Sequence, residues 1–181
     1  MRKPVTPERL ERFLSALGAR VRHPARVMIT GGASMLRRGL RGETLGVDLA
    51  YEIDPRFDTE IALAIRDLKN DLDINVELAE PGQFIPVPSD RRSRFEHVGR
   101  FGEIDVYLDD PYTIALGKLD RGSESDLRDV RLLQQAGLVD LTELEAKARE
   151  IASPETQGFA RVDLDRLLAR LAFVRGDAPP A

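Results

Sequence analysis

Two short stretches hold the residue types that could do chemistry. Gly31-Gly32-Ala33-Ser34 follows a largely β-branched run, Val27-Met28-Ile29-Thr30, and opens a segment of helical pattern. Thr44-Leu45-Gly46-Val47-Asp48-Leu49 starts twelve residues after Gly32 and reads as a strand with an acid inside it. Glycines at a strand-to-helix turn let backbone N–H groups approach a phosphate, and a helix start favours negative charge. Ser34 would add a hydroxyl. Positions 44, 46 and 48 share one strand face, with Val47 and Leu49 on the other. A carboxylate beside such a turn is where Mg2+ would bridge protein and phosphate oxygens. The plainer alternative is a tight turn packed by small residues, with Asp48 and Glu52 as ordinary exposed acids.

Around these stretches the pattern predicts the elements that position them. A first helix starts at Thr6 or Pro7, carries Leu10, Phe13, Leu14 and Leu17, and ends at Gly18. Val27–Thr30 is a short buried strand, Ala33–Leu40 a two-turn helix, and Thr44–Ile53 a long strand stopped by Asp54-Pro55. Asp58 caps a helix over Thr59–Leu72, and Ile74–Leu78 alternates as a strand. Residues 81–88 form a proline-rich loop that Phe84-Ile85 anchors, followed by a basic turn, Arg91-Arg92-Ser93-Arg94. Phe95–Phe101 and Glu103–Leu108 pair as a hairpin around Gly102. Four helices follow: Tyr112–Leu119, Glu124–Ala136, Leu141–Ile151 and Leu164–Arg175. The expected fold is a mixed α/β (α+β) sheet flanked by helices over residues 1–110. A helical subdomain spans 111–176 and a flexible tail 177–181.

Bulk properties narrow the function classes. The chain has 181 residues, no cysteine, and a net charge of −4. Disulfides, thiolate metal sites and cysteine nucleophiles are excluded. The surface as a whole does not advertise nucleic-acid binding. No apolar run approaches membrane-span length, and the N-terminus lacks the apolar core of a signal peptide, so a cytoplasmic location and no membrane partner are expected. His23 and His97 lack ligand-spaced partners, which argues against zinc. Arg37, Arg38 and Arg41 flank the glycine turn, and Arg91, Arg92, Arg94 and Arg100 offer an edge for an RNA backbone or a merely solvated one.

Across most of its length the chain resembles the nucleotidyltransferase superfamily. The likeness is to a DUF6036-like bacterial branch related to abortive-infection and toxin–antitoxin nucleotidyltransferases. Gly31, Gly32, Ala33 and Ser34 match the turn, Arg41-Gly42-Glu43-Thr44 the approach, and Val47-Asp48-Leu49 the strand. The resemblance implies nucleotide binding by Gly31, Gly32, Ser34, Arg41 and Thr44, and Mg2+ held by Asp48. A further acid would come from a neighbouring strand, Glu77 ahead of Asp105. It further implies that Lys118 contacts triphosphate and that Asp126 or Asp129 orients Lys118 or meets the acceptor. The implied reaction moves a nucleoside monophosphate from an NTP to a hydroxyl of tRNA, another nucleic acid or a protein.

Position 46 departs from the pattern. The branch has an aspartate there and this chain has Gly46. Two adjacent strand carboxylates become one, so a two-metal clamp loses a shared ligand. A non-catalytic copy, a single-metal enzyme and an introduced substitution all fit. The alternative function is therefore a non-catalytic nucleotide-binding or antitoxin-like interaction module.

Overall fold

Apolar periodicity and turn residues produce a mixed α/β fold in the computed structural model, which describes residues 2–80, 82, 85–156 and 162–177. The chain divides into two units. The first takes residues 1–80 and 95–109, and the second takes 81–94 and 110–181.

The first unit holds α1 (Pro7–Arg20), β1 (Ala25–Thr30), α2 (Gly31–Arg37), β2 (Val47–Ile53), α3 (Asp58–Asp71), β3 (Val76–Leu78), β4 (Glu96–Phe101) and β5 (Ile104–Leu108). The strands form one sheet in the order β3-β2-β1-β5-β4. β1 runs antiparallel to β2 and parallel to β5; β2 and β3 are parallel, and β4 and β5 form the expected hairpin. One face carries the core. Val27 and Ile29 of β1, Val47 and Leu49 of β2, and Ile104, Val106 and Leu108 of β5 pack there against Leu10, Phe13, Leu14 and Leu17 of α1 and Ile61, Ile65 and Leu68 of α3. Alternation then sends Arg26, Met28 and Thr30, Asp48, Ala50 and Glu52, and Asp105 and Tyr107 to the opposite face.

Several boundaries differ from the sequence pattern, Gly31 and Gly32 already belonging to α2, and two of the differences have a packing cause. α1 runs through Gly18 to Arg20. A side chain at Gly18 would overlap the backbone of Phe101, so this glycine serves close packing and does not stop the helix. β2 starts at Val47 rather than Thr44. Thr44 instead exchanges backbone hydrogen bonds with Val5, at 2.7 and 3.0 Å, so an N-terminal segment captures the first residues of the expected strand.

The second unit holds α4 (Pro111–Arg121), α5 (Glu124–Gln135), α6 (Leu141–Ile151) and α7 (Leu164–Arg175). Asp110 caps α4, accepting from the backbone N–H groups of Tyr112 and Thr113. Segment 81–94, read from sequence as part of the core, belongs to this unit. Arg94 forks onto Asp110 at 2.7 and 2.9 Å, and Lys147 donates to Asp90 at 2.9 Å. Ser89 N–H donates to Glu150 at 2.8 Å. Ile85 is buried, whereas Phe84 and residues 178–181 lie outside the described residues. Among the described residues no helix is long and apolar enough to cross a membrane.

Candidate functional site

The turn after β1 is built around two close approaches. Gly31 has φ +57°, a left-handed conformation that glycine adopts without cost. A Cβ at Gly31 would stand 2.5 Å from Oδ2 of Asp48, and one at Gly32 would overlap the Thr44 hydroxyl. The two glycines therefore let a backbone bend pass directly beside Asp48 and Thr44. The sheet register makes the same point, since Thr30 pairs with Asp48. The Arg41 guanidinium also reaches this corner, 3.9 Å from the Cβ position of Gly32.

Of the two further acids, Glu77 pairs in register with Asp48 on the neighbouring parallel strand. Asp105 sits opposite Arg26, four residues before Thr30 along β1 and about 13 Å away along the strand. Asp48 is half-buried and Glu77 exposed. Asn75 donates to Oε1 of Glu77 at 2.7 Å, and its carbonyl accepts from Val47 N–H at 2.9 Å. A Cβ at Gly46 would meet Asn75 at 3.1 Å from Nδ2 and 3.3 Å from Cβ and O. Asn75 thus crowds the place where an added side chain at position 46 would begin. Among the described residues no group of three or more His, Asp or Glu could hold a metal ion. Asp48 and Glu77, paired in register, are the carboxylates that would be open to one Mg2+, and two are few for a two-metal clamp.

Other residues singled out from sequence have different surroundings. Ser34 is fully buried and accepts a hydrogen bond from Arg38, whose guanidinium also donates to the Asp109 carbonyl at 3.0 Å. The Ser34 side chain therefore lies inside the unit, with its hydroxyl oxygen turned to Arg38. Arg37 lies 3.9 Å from Glu11, and Arg100 donates to Glu103 at 3.2 Å. Arg94 is tied to Asp110 and Asp90, leaving little of the expected basic edge around that residue.

In the second unit Lys118, Asp126 and Asp129 come together. Lys118 is 3% exposed and its ammonium donates to Asp126 at 3.3 Å and to Asp129. Arg121 and Ser123 also donate to Asp126, at 2.6 and 2.7 Å. Burial raises the Asp126 pKa, but hydrogen bonds from Arg121 and Ser123 outweigh it and bring the group down to about 2. A carboxylate depressed on folding contributes stability above its unfolded value, lost as pH falls through its folded one. Thermal melts should thus lose midpoint between about pH 4 and pH 2, and Asp126→Asn should flatten that slope.

A family model described as "nucleotidyltransferase of unknown function" (DUF6036) matches residues 8–168. The chain belongs to this nucleotidyltransferase family. It is also similar to a solved structure, an antigenic nucleotidyltransferase-like protein from Paracoccidioides brasiliensis, at 17% identity over 97% of this chain and 92% of that one, with a TM-score of 0.42. No curated protein matches.

For a member of this nucleotidyltransferase family, two site features had no foothold in the motif. Asn75 bears on both Gly46 and Glu77, and the only hint was its place at the start of an alternating run. Arg38 was counted among three arginines near the turn, with nothing to single it out as the one whose side chain is buried.

Proposed function

We propose that this chain binds a nucleoside triphosphate with Mg2+ and transfers its nucleoside monophosphate to a hydroxyl acceptor, tRNA being the acceptor to test first. The observation that carries this reading is the Gly31–Asp48 approach, which puts a glycine bend, a half-buried carboxylate and Thr44 at one corner. Backbone N–H groups of the bend and the Arg41 guanidinium bind phosphate oxygens. Asp48 and Glu77 would hold Mg2+, which would supply neutralisation of phosphate charge. The acceptor hydroxyl oxygen attacks the α-phosphorus in line and gives up its proton to water, the bond from the α-phosphorus to the oxygen bridging to the β-phosphate breaks, and pyrophosphate leaves with the electron pair. The chain's own contribution is positioning. Ser34 acts through Arg38 as a support for the turn. Lys118, given a triphosphate contact by the resemblance, is assigned a positioning role with Asp126 and Asp129, because its ammonium is already committed to them.

A specific observation favours a second reading. Gly46, with no group of three or more His, Asp or Glu able to hold a metal ion among the described residues, suits a nucleotide-binding or antitoxin-like module without transfer. The assay uses labelled NTPs with total tRNA and with protein acceptors, comparing the native chain, Gly46→Asp, and Gly46→Asp with Asn75→Ala to relieve crowding. The expected result is weak transfer by the native chain and a rise of at least about 100-fold on restoring the acid, the scale of several kcal/mol of charge stabilisation. NTP binding without transfer in all three proteins would establish the second reading.

A further inference from the structure

Chemistry not used above lies on the same sheet face as Asp48. On β5, Asp105 and Tyr107 alternate with buried Ile104, Val106 and Leu108. His97 of β4 stands opposite Tyr107. The register shifts between His97 and Gly99, and the residue between them, Val98, packs against the core. The shift keeps His97 on the Tyr107 side while Phe101 stays opposite Ile104 on the core side. Such bulges re-aim a side chain. The His97 ring lies 5.0 Å from that of Tyr107, tilted by 52°, and Phe95 lies 6.5 Å from Tyr107, tilted by 43°. Nε2 of His97 is 3.3 Å from the Asp105 carboxylate, and the imidazole is half exposed. Held this way, His97 has Nδ1 to address a polar edge.

Sheet geometry sets the distance to the phosphate corner. Tyr107 pairs with Met28, two residues before Thr30, which pairs with Asp48. Two strands across and two residues along place the Cα atoms of Tyr107 and Asp48 about 12 Å apart. That is too far for both to act on one phosphate and is about the reach of one nucleotide from its phosphates to its base.

We propose that Tyr107 and His97, with Asp105 fixing the imidazole, form a stacking platform for a nucleobase whose phosphates sit at the Gly31–Asp48 corner. This rests on the reading given under Proposed function. The base is that of the donor nucleotide or of an RNA end. Aromatic faces suit either source, because every base has a π-face.

Calorimetry on the full chain tests it with three probes: tripolyphosphate with Mg2+, ATP or CTP with Mg2+, and a short single-stranded oligoribonucleotide without a triphosphate. Tyr107→Ala should weaken the nucleotide about tenfold and leave tripolyphosphate unchanged, while Tyr107→Phe keeps native affinity. A loss confined to the oligoribonucleotide identifies an RNA base instead and supports the platform equally. Where Tyr107→Ala loosens the hairpin, seen as faster hydrogen exchange over residues 96–108, His97→Gln and Tyr107→Leu supply the comparison. The platform is overturned if the native chain binds tripolyphosphate and these variants leave nucleotide and oligoribonucleotide affinities unchanged, or lower tripolyphosphate equally. A native chain that binds neither tripolyphosphate nor nucleotide overturns the functional reading itself, and the platform with it.

Discussion

Lys118→Met is expected to lower the stability of the protein by about 3–5 kcal/mol, the scale for breaking a buried ion pair from one side. Asp126 and Asp129 are 7% and 2% exposed, and both lose a cation that now lies against them. Arg121 and Ser123 continue to hold Asp126, which limits the loss on that side. Denaturant melts of Lys118→Met, Asp129→Leu and the double variant test this. The double variant should recover much of the loss, because replacing a buried pair by apolar groups is often near neutral. If Lys118→Met melts like the native chain yet loses nucleotide affinity, Lys118 belongs to the phosphate site, as the family resemblance implies.

Gly31→Ala is the second large effect, and it should strike stability and binding together. The left-handed backbone costs alanine about 1–2 kcal/mol. The added Cβ also points at Oδ2 of Asp48, so the carboxylate must turn away or the bend must open. Nucleotide affinity should fall at least about tenfold, equivalent to about 1.4 kcal/mol. Gly42→Ala is the control, because that position has open space and no left-handed backbone, and it should change neither property. Equal behaviour of the two variants would mean that the bend is not part of a binding site.

How much of this was legible in the sequence follows from the range of each interaction. The helices and strands announced themselves because apolar spacing and caps are local. Leu141–Ile151 and Leu164–Arg175 match their observed bounds to the residue. The mixed sheet followed from the order of those elements. The capture of Thr44 by Val5 did not, because a two-residue bridge across 39 positions leaves no periodic trace. The same holds for segment 81–94, which Lys147 meets at Asp90 across 57 positions and Glu150 meets at Ser89 across 61. In the candidate site, the turn and Asp48 were readable as a spacing pattern. Their actual closeness, the burial of Ser34 beneath Arg38 and the crowding of Gly46 by Asn75 are consequences of packing.

The proposed function requires the bend at residues 31–34 and Asp48 to seat a triphosphate together with its cation. The most direct measurement is the calorimetric affinity for ATP, CTP, GTP and UTP, with Mg2+ and with chelator, for the native chain and Asp48→Asn. Binding of at least one nucleotide should need Mg2+ and fall by at least about tenfold in Asp48→Asn while the melting temperature stays near native. Binding that ignores both Mg2+ and Asp48, or no binding of any nucleotide, would overturn the proposed function.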